Sequence, residues 1–258
     1  MGFSADWLSL REPADAVARD QTLLRRAITL AGTEPVIMDM GCGTGSTVRA
    51  LGLLVPSGTA WRLVDNDQTL LERALRTTGP AATGHLVDLD RLSEIPFRGL
   101  TLVTASALLD LVTEDWLQRL AARLQVPFYA ALSYNGQMHW YPAEPDDQRM
   151  VAAFNRHQLG DKGLGAALGP TAVDAAHRVF RAAGFSIESA DSSWRLGPES
   201  TLLQQSLVEG IALAAHEAGE PEALAWGETR AGVAAETRCV IGHTDILVIP
   251  PSSAGSAP

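Results

Sequence analysis

Residues 35–47 read P-V-I-M-D-M-G-C-G-T-G-S-T, a short apolar run, Val36 to Met40, broken only by Asp39 and followed by Gly41, Gly43 and Gly45. An apolar run this short, ended by glycines, predicts a buried strand entering a tight turn, and Thr47 to Leu54 can begin a helix. Glycine suits such a turn because a residue without Cβ takes up positive φ freely and lets a ligand approach the backbone. The stretch reads as a binding loop, and its spacing narrows the ligand. A dinucleotide fold asks for G-x-G-x-x-G, and here the third glycine comes one residue early. A phosphate loop needs G-x-x-x-x-G-K-[ST], and no lysine follows these glycines. Asp39, at the strand end, disfavours an anionic ligand and favours a cationic one.

The stretch resembles motif I of the class I S-adenosylmethionine-dependent methyltransferases, an apolar strand, an acid, then G-x-G-x-G, matched at Asp39, Gly41, Gly43 and Gly45 with Cys42 inside the loop. A second strand, Ala60 to Val64, ends in Asp65-Asn66-Asp67, and Asp65 falls 20 residues after Gly45. That is about the distance at which an acid ending the second strand of a nucleotide fold meets a ribose. Asp65 is the expected ribose ligand, with Asn66 beside it, and Asp67 can cap the helix of Leu70, Leu71, Ala74 and Leu75. The resemblance places an acid at the end of the third strand against the adenine amine, a donor that a carboxylate can accept. Asp88 matches by position, with Leu89 next to it; Asp90 is the fallback, and a solvated turn acid is the competing reading. The fourth strand, Leu100 to Ala105, leads into Ser106 to Asp110, on the side where doubly wound sheets bind ligands. Ser106 is expected to hold the methionine moiety. Asp110 is expected to orient substrate, unless it only caps a helix.

Composition sets bounds. The 258 residues are 46% hydrophobic and 19% charged, enough for one well-buried domain, read as residues 1–249 with a tail at 250–258 expected to be disordered. A net charge of -10, with 20 Lys and Arg against 30 acids, disfavours a nucleic-acid partner and leaves a small-molecule acceptor as the default. Two cysteines, Cys42 and Cys239, can build neither a disulfide framework nor a zinc quartet, so no metal is expected and a reducing cytoplasm is. No apolar run approaches the ~20 residues of a membrane span, and no signal sequence is visible. The chain reads as soluble.

Before the loop, Met1 to Pro13 reads as a lead-in and Ala14 to Gly32 as a helix; Trp7 is expected to pack and Arg19 to be solvated, although either could reach substrate or the methionine carboxylate. After the fifth strand, Val126 to Tyr134, residues 135–170 read as an irregular insertion with glycine joints, a lid or substrate-reading segment, the competing reading being a surface insertion whose aromatics simply pack. Tyr134, Trp140 and Asn155 are its substrate candidates. His139 and His157 are its candidate bases, because histidine titrates near neutrality. A helix over Thr171 to Ala183, a sixth strand over Gly184 to Trp194, helices over 198–218 and 222–235 and a seventh strand over Thr237 to Ile249 complete the reading. The resemblance implies an α/β, doubly wound, Rossmann-like sheet of seven strands, six parallel and the last antiparallel, with helices on both faces. It implies S-adenosylmethionine as cofactor, S-adenosylhomocysteine as product, and methyl transfer to a small molecule. The rivals are a nicotinamide oxidoreductase, which the glycine spacing opposes, and a non-catalytic S-adenosylmethionine-binding sensor or partner subunit.

Overall fold

The computed structural model describes residues 4–251, so all but the first two residues of the expected tail lie outside it. A central sheet runs in the order β3-β2-β1-β4-β5-β8-β6: β1 (Val36–Met40), β2 (Ala60–Asp65), β3 (Ala82–Leu86), β4 (Leu102–Ser106), β5 (Phe128–Tyr141), β6 (Ser186–Asp191) and β8 (Arg238–Ile249). The first five strands are mutually parallel, and β8 runs antiparallel between β5 and β6. Six parallel strands and one antiparallel strand therefore stand as expected. The count rises to eight because the sixth strand is broken after Asp191, and its continuation, β7 (Trp194–Leu196), pairs separately with β8.

Alternation along the strands divides the core. Ile37, Leu63, Leu102 and Tyr129 meet α2 (Gln21–Ala31), α3 (Ser46–Leu51) and α4 (Gln68–Thr78) on one face. Met38, Met40, Val103 and Phe128 meet α5 (Glu114–Ala121) and α7 (Ala172–Ala182) on the other.

Residues 135–141 and 147–158 are regular structure rather than irregular insertion, while 142–146 and 159–168 are turns and loop. β5 runs on to Tyr141 beside β8, with two register shifts, and α6 (Asp147–Gln158) follows. The first shift is held by buried Asp245, which accepts from Leu132 N (2.8 Å), Tyr129 Oη (2.6 Å) and Asp20 N (3.0 Å). Those bonds fix Leu132 at φ 56°, a backbone state costly for a branched side chain without such support. On the extended ribbon lies a third core: Trp140, Met150, Trp194 and Trp226, with α8 (Thr201–Glu217) and α9 (Ala223–Gly232).

The supposed lead-in and the start of the expected Ala14 to Gly32 helix together form α1 (Ala5–Ala18), with Ser4 as N-cap and Pro13 inside it, and the chain breaks at Arg19 and Asp20 before α2. Trp7, Leu10, Ala14 and Ala18 sit on its stripe against the third core. That burial holds the helix despite the backbone bond proline cannot donate. Among the described residues, no helix is long and apolar enough to cross a membrane.

Candidate functional site

A cleft of about 590 Å³ opens at the carboxyl ends of β1, β2 and β4, within the ~300–1,000 Å³ typical of small-molecule sites. Its floor is the glycine loop. Gly43 has φ 52°, and a Cβ there would stand 3.2 Å from Leu8 Cδ1; Gly45, at φ 85°, caps α3, and a Cβ there would stand 3.4 Å from Ala74 on α4. Positive φ and close packing together account for glycine at both places.

Asp65 ties loop to sheet: Oδ2 accepts from Gly43 N at 2.7 Å and Oδ1 from Asp67 N at 2.9 Å. Burial pushes its carboxyl up from the usual range, and these two N–H groups pull against that. Each oxygen of this cleft-lining carboxylate can accept more than one bond. Asp67 caps α4 through Leu70 N. Gly41, Cys42, Gly43, Asp65, Asn66, Asp88, Leu89 and Ser106 all line the cleft. Burial raises the Cys42 thiol far above its ordinary value, so it is a neutral wall group. Asp90 stands off the cleft in an ion pair with Arg119 at 2.7 Å.

Asp39 and Gly45 are not among the lining residues. Strand alternation puts the Asp39 side chain beneath the loop, where Oδ1 accepts from Thr104 Oγ1 at 2.8 Å and Oδ2 has no partner. Burial raises its carboxyl to about 7, against the opposing pull of Thr104 and of Arg19. Arg19 is itself 3% exposed rather than solvated; Nη2 donates to Ser106 Oγ at 2.9 Å, while Nε and Nη1 have no partner.

The acceptor-side candidates are placed otherwise than the sequence suggested. Tyr134 donates to Asn155 Oδ1 at 2.7 Å, and Asn155 donates to Gly136 O at 2.9 Å. Trp140 is 3% exposed, edge-on to Trp226 at 5.5 Å. These three are outside the cleft lining because they bind the β5 extension to the third core. His139 lies on the exposed side of β5, opposite Val240, away from the cleft. Asp110 sits behind the lining, Oδ1 buried without a partner, its carboxyl raised by burial to about 6. His157 does not line the cleft; its Nδ1 lies 3.3 Å from Nζ of Lys162, a lining residue.

Several lining residues were missed. α1 brings Leu8, Arg11 and Asp15, one stripe round from its buried face. Arg11 chelates Asp15 at 2.9 and 3.1 Å and lies 5.0 Å over the Trp194 ring. Their spacing of three and four residues was a legible helical signal. Lys162, Gly163 and Leu164 enter from the turn after α6, where Asp161 Oδ1 accepts from Gly163 N (2.7 Å) and Gly165 N (3.0 Å).

No family model matches the chain, and no curated protein matches it in sequence. Solved structures match its fold. The YcgJ protein from Bacillus subtilis superposes at TM-score 0.53 and 12% identity, covering 90% of this chain and 100% of that one. The cyclopropane synthase MmaA2 from Mycobacterium tuberculosis gives 0.54 at 11%, covering 96% and 94%. Geranyl diphosphate C-methyltransferase from Streptomyces coelicolor A3(2), solved with Mg2+, geranyl diphosphate and S-adenosyl-L-homocysteine, gives 0.53 at 14%, covering 92% and 80%. The chain shares the Rossmann-like methyltransferase fold of these structures.

Proposed function

We propose that this chain transfers a methyl group from S-adenosylmethionine to a small-molecule acceptor. The observation that carries the reading is Asp65, a cleft-lining carboxylate locked to the Gly43 amide with acceptor capacity to spare. Vicinal ribose hydroxyls are donors of the kind it can take. Exposed Asp88, on the same wall, would accept from the adenine amine. At the other end Arg19 lies behind the lining, reaching it through Ser106. A buried guanidinium with two unsatisfied donors beside Ser106 calls for an anion, and the methionine carboxylate would be one. The cofactor brings a methyl already activated on a sulfonium, so the protein's work is alignment of an acceptor within about 3–3.5 Å. The neighbour solved with geranyl diphosphate and S-adenosyl-L-homocysteine supports a small-molecule acceptor of this kind.

Incubation with S-adenosylmethionine and a cell metabolite extract should release S-adenosylhomocysteine above the rate seen without extract. Tight cofactor binding with no such release from any extract would instead favour the non-catalytic sensor.

A further inference from the structure

Lys162 is the only lysine of the chain; the other nineteen of its 20 Lys and Arg are arginines. It lies in the cleft wall, on the turn that Asp161 pins. Arginine cannot lose its proton in a protein, and it holds anions at least as well as lysine does, so what this single position gains is an amine that can be neutral.

Its surroundings form a chain to the surface. In the ammonium form Nζ has only donors, so His157 Nδ1 accepts from it at 3.3 Å. The imidazole proton is then on Nε2, donated to Glu217 on α8 at 2.9 Å. Glu217 is half exposed. The titratable groups facing Lys162 are thus His157 from α6, Glu217 from α8 and Asp110 from the turn after β4, with Asp161 next in sequence. Desolvation lowers the amine below its ordinary value, while Glu217 and Asp110 partly oppose that.

Resting on the methyl-transfer reading, we infer that Lys162 is the catalytic base and that His157 and Glu217 position it and drain its proton. As a lone pair on the acceptor forms its bond to the methyl carbon, the sulfur keeps the electron pair of the bond that breaks. The acceptor's proton passes to neutral Nζ. From there a proton moves to His157 Nδ1, Glu217 balances the imidazolium, and solvent takes the proton from Nε2. His157 therefore acts through Lys162 and touches no reacting atom.

The single lysine makes the test direct. Protein produced with lysine labelled with 13C at Cε carries one label, whose resonance reports ionisation of Nζ. The expected midpoint lies below that of free lysine, in the direction that desolvation of the amine sets. Adding S-adenosylmethionine, which carries a positive sulfonium, should lower it further than the neutral thioether S-adenosylhomocysteine does. Glu217→Gln should lower it too, because removing a negative charge disfavours the ammonium. A midpoint at or above ~10.4, or one that Glu217→Gln leaves unmoved, in protein that binds S-adenosylmethionine would overturn the inference. Failure to bind S-adenosylmethionine in calorimetry would instead bring down the reading on which it rests.

Discussion

At the scale of single residues, Asp39 shows how a correct motif can carry a wrong picture of its atoms. The acid before the glycines suggested a group facing the ligand, yet period-two alternation turns it under the loop, against Thr104. That alternation was in the sequence and could have been applied. The burial of Arg19, by contrast, could not be read, because its neighbours Ser106 and Tyr129 come from distant strands. The Asp39 position has a consequence for stability. An unfolded aspartate ionises near ~3.9, whereas the folded one is raised to about 7, so between these values the folded chain keeps a proton that the unfolded chain has lost. Stability from this group therefore falls as pH rises through that window. Asp39→Asn removes the linkage and keeps an oxygen for Thr104. In thermal melts without ligand, the variant's advantage over wild type should grow from about pH 4 to pH 7 and then level off. An advantage that shrinks with rising pH would refute the assignment.

At the scale of elements, the central strands β1, β2 and β4 and the helices α2 and α4 were legible because they are short apolar runs or periodic stripes, the two helices ended by Gly32 and Gly79. Residues 135–170 were not, because their polar and aromatic groups are buried by partners far along the chain. Trp140 meets Trp226 and lies 5.6 Å from the Arg230 guanidinium, which in turn pairs with buried Asp147. No local pattern joins those segments. Trp140 is accordingly a packing residue, and Trp140→Ala should cost about 3–5 kcal/mol in a denaturant melt. Cofactor affinity, measured at low temperature on the folded variant, should stay within about threefold, less than ~1 kcal/mol. Unchanged stability with lost affinity would return this residue to the site.

Over the whole molecule, strand order places β1 between β2 and β4, so the glycine loop, Asp65 and Ser106 converge at one crevice. The sequence showed that half through acids at the right distances from the loop. The opposite wall is built by α1 and by the turn carrying Lys162: a helix disguised by Pro13, and a turn whose Leu164 packs on the core shared with α5 and α7. The central claim is that this crevice holds S-adenosylmethionine through Asp65. Calorimetric titration of wild type and Asp65→Ala with S-adenosylmethionine, S-adenosylhomocysteine and NAD tests it most directly. Wild type should bind the first two and not NAD, and Asp65→Ala should weaken them by about 1–3 kcal/mol, roughly 5- to 150-fold. Equal affinity in the variant, or binding of NAD alone, would contradict the account.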